Sequence, residues 1–431
     1  MAIAVLSLSA PAGASEPATE AAALTFELEE VRRERDAAQA RLDALEASAE
    51  RADGFWLGPL RLGGAMRVNF IQGSYETDVE GPSRGTGNFE LDTFRINLEL
   101  RYGQWTGALE YRWYDGYNFL HSGWLGYAFN EHSELKAGLT RVPFGPGPYG
   151  VSQSWFFDQH YYVGLVDDMD LGIHYTARTG AWAFDLAWFL RSEPNGNGNS
   201  VGSARYGYDA VVWNSAIADD GSIVAAATNG YRERNQINLR AVYDGLPFPA
   251  DVGLSAEYGQ LDGDEVDDGD HWALSVHMVN AIGALTVASQ LTRYEVRIDA
   301  DNPWGTDALF PSGAYDFAWL TASKAWLPAV SVSYRVDVPN FVWLDYVLPY
   351  LEYSSVIKDE GDFNDSQLLV AGAAWASGGW YLYTDLAWSN GNLFVGNEGD
   401  NYAVADGVGD WGVSGNDRWN YRFNLNLGYY F

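Results

Sequence analysis

The chain of 431 residues contains no cysteine, which excludes a disulfide framework, a thiolate metal site and a cysteine nucleophile. Past its amino terminus it has no unbroken apolar run of the ~20 residues that a membrane-crossing helix needs. Yet 47% of its residues are hydrophobic and its mean hydropathy is −0.21, so the apolar content is spread by alternation rather than concentrated. Basic residues are scarce, 26 against 58 acidic ones, for a net charge of −32. That balance excludes a nucleic-acid partner, because phosphate binding needs a basic surface. The six histidines, His121, His132, His160, His174, His271 and His277, show no metal-ligand spacing. Strand parity brings no set of Ser, His and acid together, so neither a cofactor nor an enzymatic activity is expected.

What is present is a period of two. From Tyr421 to Phe431 the odd positions are large and apolar and the even ones mostly polar or small. Such a strand has one greasy and one wet face, over a length that crosses a tilted membrane wall. The same alternation begins after Gly54 and continues to the end. A backbone in a bilayer must satisfy its own hydrogen bonds, which leaves helices or closed barrels, and the helices are missing. Aromatic residues make up 15% of the chain, with 18 Trp and 27 Tyr, which suits the girdles of such a wall.

Tight links at Gly103-Gln104, Thr179-Gly180, Ile282-Gly283 and Gly378-Gly379 alternate with long connections around 74–88, 141–170, 192–231 and 390–419. Short periplasmic turns and long outer loops are the habit of bacterial outer-membrane barrels. Strand directions counted from both ends agree if residues 316–338 supply a single crossing, made either by Phe317 to Ala325 or by Val330 to Val336. The expected fold class is therefore all-β: a transmembrane antiparallel β-barrel over 54–431, with about sixteen strands and eighteen as the alternative. Both ends lie on the periplasmic side in this reading.

Ahead of the barrel, residues 1–14 read as a signal peptide ending in Ala12-Gly13-Ala14, although a basic n-region is absent. Residues 15–53 contain a heptad seam, Leu24, Leu28, Val31, Ala38, Leu42, Leu45 and Ala49, flanked by charge. The spacing predicts a short coiled-coil helix, a periplasmic stalk that would oligomerise the chain.

Parity also assigns an interior. Over Phe89 to Arg101, Phe94, Ile96, Leu98 and Leu100 fall on one face and Arg95, Asn97, Glu99 and Arg101 on the other. Charge on a lipid face costs about 2–4 kcal/mol at the midplane. Arg61, Arg67, Arg95, Arg101, Arg112, Arg234, Arg240 and Arg422 are accordingly expected to line an aqueous lumen. A symmetric first hairpin would set Arg67 opposite Arg95 and Arg61 opposite Arg101, and would bring Arg112 beside Arg95. Such a row is neutralised either by Glu99 and Glu110 or by a permeating anion. The functional expectation is passive diffusion of small hydrophilic solutes, leaning to anions.

The segment 141–170 is too aromatic for a solvated loop and is rich in Pro and Gly, so it is expected to fold into the lumen. Its candidate constriction residues are Arg141, Phe144, Trp155, Phe157, Tyr161 and Tyr162. With Arg141-Val142-Pro143-Phe144-Gly145 and the terminal strand, the region from Phe55 to Phe431 resembles the phosphate-selective porin family of Gram-negative outer membranes. Coiled-coil-bearing relatives with other small-anion substrates are equally similar. The resemblance implies a sixteen-stranded homotrimer in the outer membrane, an infolded third loop, and passage of phosphate or small organic anions.

Two other functions remain open at this point. Aromatic residues of the segment could bind sugar rings, as in a carbohydrate-selective porin, or a plugged barrel could serve as a tether or adhesin. The outer-loop carboxylates Asp262, Asp264, Asp267, Asp268 and Asp270 form a weak Ca²⁺ candidate, or bridge divalent cations to lipopolysaccharide.

Overall fold

The computed structural model describes residues 55–75, 87–200, 202–217, 223–300, 302, 305–341, 343–396 and 417–431. The expected export segment and coiled-coil stalk lie outside these residues. Sixteen strands make the wall. They are β1 (Leu60–Gly73), β2 (Asn88–Tyr102), β3 (Trp105–Trp113), β4 (Asn118–Asn130), β5 (Ser133–Arg141), β6 (Met169–Thr179), β7 (Trp182–Ser192) and β8 (Ile223–Tyr243). The second half comprises β9 (Ala250–Asp264), β10 (Gly269–Ile282), β11 (Leu285–Arg297), β12 (Lys324–Tyr334), β13 (Tyr346–Lys358), β14 (Ser366–Ser377), β15 (Trp380–Ser389) and β16 (Asn420–Tyr430). Each pairs antiparallel with the next, and β16 returns to β1 from Ala65↔Tyr430 to Gly73↔Arg422, closing the ring.

The period of two places every second side chain outside. On β9, Leu254 and Tyr258 are exposed while Ser255 and Glu257 are buried inside. On β10, Leu274, Val276 and Met278 face out, opposed by His271, Ala273, Ser275 and His277 within. The outward apolar band is far larger than a soluble surface tolerates and suits hydrocarbon. Short turns close one end. Gly103 and Gly180 take φ of 61° and 58° there, a left-handed conformation that glycine adopts without steric cost in two-residue hairpin turns.

The count of sixteen holds because the uncertain crossing is made by β12, the Val330 side of the expected pair. Phe317–Ala322 instead pairs with Leu309–Ala314, and Asp209–Ala210 adds a third strand to that small sheet. Its turn residues Tyr315 and Asp316 both have positive φ, which reverses the chain before it can enter the wall. The connection after β7 is not plain loop either, since Val212–Ile217 pairs with the early part of β8.

The first hairpin departs from symmetry. Arg61 lies opposite Glu99, Ala65 opposite Arg95 and Arg67 opposite Thr93, with a bulge after Arg67. Arg95 does lie opposite Arg112. The apolar core sits inside the barrel, where Phe119, Phe156, Tyr161, Tyr162 and Tyr208 are buried together. Each such ring contributes about 1.5–3 kcal/mol by leaving water. Leu254→Arg, in the middle of β9, is expected to destabilise the folded barrel by about 2–4 kcal/mol, measured by denaturant-driven refolding into phospholipid vesicles.

Candidate functional site

Six of the expected arginines, Arg61, Arg67, Arg95, Arg112, Arg240 and Arg422, line one interior cavity of about 1600 Å³. Inward parity on neighbouring strands stacks the first four on one wall, and carboxylates hold most of them. Arg61 lies 3.0 Å from Glu99 and Arg67 2.7 Å from Asp92. Glu110 is shared by Arg112 at 2.5 Å and Arg95 at 3.4 Å. Arg240 meets Asp185 at 2.9 Å. Arg422 differs: among the described residues no carboxylate holds it. It donates to Phe394 O at 3.2 Å and to Asn424 Oδ1 at 2.9 Å, and lies 4.8 Å over the Trp155 ring.

Two expected lining residues fall elsewhere. Arg101 stands at the short-turn rim, where its side chain is largely exposed beside Glu99 at 3.6 Å. Arg234 points outward and pairs with Asp262 at 2.8 Å. A bulge between Arg234 and Ile237, with Asn235 at φ 49°, reverses parity. Gln236, Asn238 and Arg240 face in below it, whereas Tyr231 and Glu233 do so above. Period-two reasoning fails wherever such an extra residue is inserted.

The segment between β5 and β6 lies inside the barrel and is fastened to six strands of the far wall. Gly145 N donates to Ser255 Oγ at 3.1 Å, and Arg240 donates to Gly145 O and Pro146 O at 2.7 and 3.1 Å. Ser331 Oγ donates to Val151 O at 2.5 Å. Glu352 accepts from Ser152 Oγ at 2.7 Å and from Gln153 N. Asp385 accepts from Trp155 N at 3.0 Å, and Ser354 Oγ from Gln159 N at 3.1 Å. His160 joins Asp158 and Thr292, each at 2.8 Å. That line of Asp, His and Thr has the order of a catalytic relay, but all three residues are buried away from the cavity, and it acts as a fastener.

Of the expected constriction residues, Arg141, Trp155, Phe157, Tyr161 and Tyr162 line the cavity, while Phe144 is buried behind them. Arg141 is held by Asp167 at 2.9 Å. Burial pushes the Tyr161, Tyr162 and Tyr206 phenols above their ordinary value, so they stay neutral. The anchors Glu352 and Asp385 were not among the expected site residues, although each is an inward carboxylate in a strand with little other charge, a usable signal.

Four of the five acidic loop residues have protein partners of their own. Arg232 meets Asp264 at 2.7 Å, Arg234 meets Asp262, and Arg297 meets Asp270 at 2.5 Å, while Asp268 accepts Gly263 N at 2.9 Å.

No protein-family model matches the chain, and neither does any curated protein sequence. Solved structures do resemble it. The outer membrane channel DcaP of Acinetobacter baumannii superposes with a TM-score of 0.53 at 11% identity, over 88% of this chain and 99% of that one. An anion-selective porin from Comamonas acidovorans gives 0.52 at 10%, over 86% and 99%. The trimer form of OmpT, an outer membrane protein of Vibrio cholerae, gives 0.52 at 13%, over 86% and 99%. At these identities the likeness is one of fold.

Replacing both Glu352 and Asp385 by Ala leaves buried N–H groups of Gln153 and Trp155 without acceptors, at about 1–3 kcal/mol each. Backbone amides over 150–157 are then expected to exchange hydrogen roughly tenfold faster or more, while amides of β10 and β11 keep their rates, as read by mass spectrometry.

Proposed function

We propose that the chain is an outer-membrane porin that lets small hydrophilic solutes diffuse passively, with a preference for anions such as phosphate or small organic anions. The observation that carries this reading is the charge of the lumen. Among the described residues, nine arginines and seven carboxylates line the cavity, although the whole chain carries −32. Arginine stays charged in any environment it meets here, so these charges are permanent, while Glu110 and Asp185 just behind the lining pair with three of them. The guanidinium of Arg422, flanked by Trp155 and held by no carboxylate among the described residues, adds a positive charge to the lining for a passing anion. In this reading the infolded segment narrows the path around Pro146, Tyr149 and Trp155, opposite the arginine wall. The chain works as a homotrimer among outer-membrane lipid and lipopolysaccharide, with residues 15–53 as a periplasmic stalk.

Sugar passage is the weaker reading because ring faces are already occupied. Arg422 lies 4.8 Å over the Trp155 ring, Phe157 packs on Tyr161 at 4.5 Å, and Tyr161 meets Tyr162 edge-on at 5.3 Å. A non-conducting tether is separated by conductance itself. Purified protein in planar bilayers under a KCl gradient is expected to reverse on the chloride side. Gln replacement of Arg67, Arg95 and Arg422 together should lower the anion-to-cation permeability ratio, by roughly threefold. A cation-selective wild type, or one without conductance, would overturn the proposal.

A further inference from the structure

Four carboxylates converge away from the solute cavity, at the root of the infolded segment. Asp168 is the last residue before β6, Asp170 its second residue, Glu193 follows β7, and Asp209 belongs to the small sheet in the following loop. All four are at most 3% exposed, and one oxygen from each lies within 4.8 Å of all the others. Oxygens bound to one Ca²⁺ at about 2.4 Å are at most about 4.8 Å apart, so the four fit within a single coordination shell.

Unsatisfied oxygens point to the same place. Neither oxygen of Asp170 has a hydrogen-bond partner, nor does Glu193 Oε2. Thr140 Oγ1 is likewise buried without a partner. Thr140 sits directly opposite Asp170 in the β5–β6 register, so the two side chains share the inward face. Buried polar atoms are almost always paired, and four orphans in one pocket call for an absent partner that only accepts lone pairs.

Charge gives the sign of that partner. Within contact the cluster has one cation among the described residues, Arg205, whose Nη1 lies 2.6 Å from Asp209. A fifth carboxylate, Glu233, accepts from Ala210 N close by. Gly207 completes the cradle, since a side chain there would meet Asp168 Oδ1 at 2.3 Å, while its N–H donates to Glu193 Oε1 at 2.7 Å.

We propose that Asp168, Asp170, Glu193 and Asp209, with Thr140 beside them, bind one divalent cation of the Ca²⁺ class. The ion ties the exit of the infolded segment to the outer loop 193–209 and to the barrel wall. This is a structural clamp on the loop, independent of which solute passes.

The test uses the full chain folded in detergent and stripped with EGTA. Tb³⁺ is titrated with excitation of the nearby tyrosines Tyr206 and Tyr208, then displaced with Ca²⁺. One saturable site is expected, displaced by Ca²⁺, and weakened about tenfold or more in Asp170→Asn and in Glu193→Gln. The surface variant Asp262→Asn/Asp268→Asn should bind as the wild type does. EGTA should lower the unfolding temperature of the wild type and leave Asp170→Asn and Glu193→Gln unchanged. The proposal fails if the surface variant abolishes all Tb³⁺ emission. It also fails if Asp170→Asn is more stable than the wild type with Ca²⁺ present, because protons rather than a cation then hold the cluster. Neither readout depends on conductance, so failure here and failure of the porin reading are separable.

Discussion

Everything in this molecule depends on the backbone ladder returning to its own start. An open strand edge facing hydrocarbon would leave unpaired N–H and C=O groups, each costing several kcal/mol. The ends meet closely: Gly64 N donates to Phe431 O at 2.9 Å and Phe431 N to Gly64 O at 3.0 Å. The terminal aromatic also acts as a wedge. A Cβ on Gly64 would lie 2.7 Å from the Phe431 ring and 2.5 Å from Arg95 O, so the seam closes because that position lacks a side chain. Phe55–Leu57 then pairs with Leu60–Leu62, covering the stretch of β1 beyond the last residue of the chain.

Closing sixteen strands creates a second problem, a lumen too wide for wall side chains to fill. The chain fills part of it with its own segment, and the wall's polarity dictates how that segment is held. Hydroxyls and carboxylates such as Ser255, Thr292, Ser331, Glu352 and Asp385 accept or donate along its length. Apolar packing occurs where the segment meets other loops, around Phe156, Tyr161 and Tyr208. Each hydrogen bond contributes little net stability, but a missing one leaves a buried group unsatisfied. The position of the segment is thereby set by many directional contacts at once.

The barrel was legible because its two signals, alternation and turn glycines, act over a few residues. Leu254 outside and Ser255 inside follow from period two alone, and so do the lining positions of Arg61, Arg67, Arg95 and Arg112. Arg234 was misplaced because one extra residue at Asn235 reverses the parity between it and Arg240. The Arg67 pairing was misread because the first hairpin is not symmetric about its loop, with Ile71 opposite Asn88 and Arg67 opposite Thr93. Phe317–Ala322 alternates as well as any wall strand, and only its pairing with Leu309–Ala314 reveals that it belongs to a loop sheet. The buried acidic cluster had no local signature, because Asp168, Glu193 and Asp209 come from separate connections and meet through packing.

Total charge and lumen charge answer different questions. At physiological ionic strength a surface charge is screened over about 8 Å. Carboxylates on the outer loops, such as Asp264 and Asp270 with their own arginine partners, therefore contribute little field deep in the barrel. Inside, low-dielectric walls make near charges count for more. The ion pairs along the arginine wall cancel much of the field there. Arg422 is braced by a carbonyl, an amide and an indole face, with no carboxylate holding it among the described residues. The balance of charge inside the cavity is consequently set by a handful of lining residues and not by the total charge of the chain.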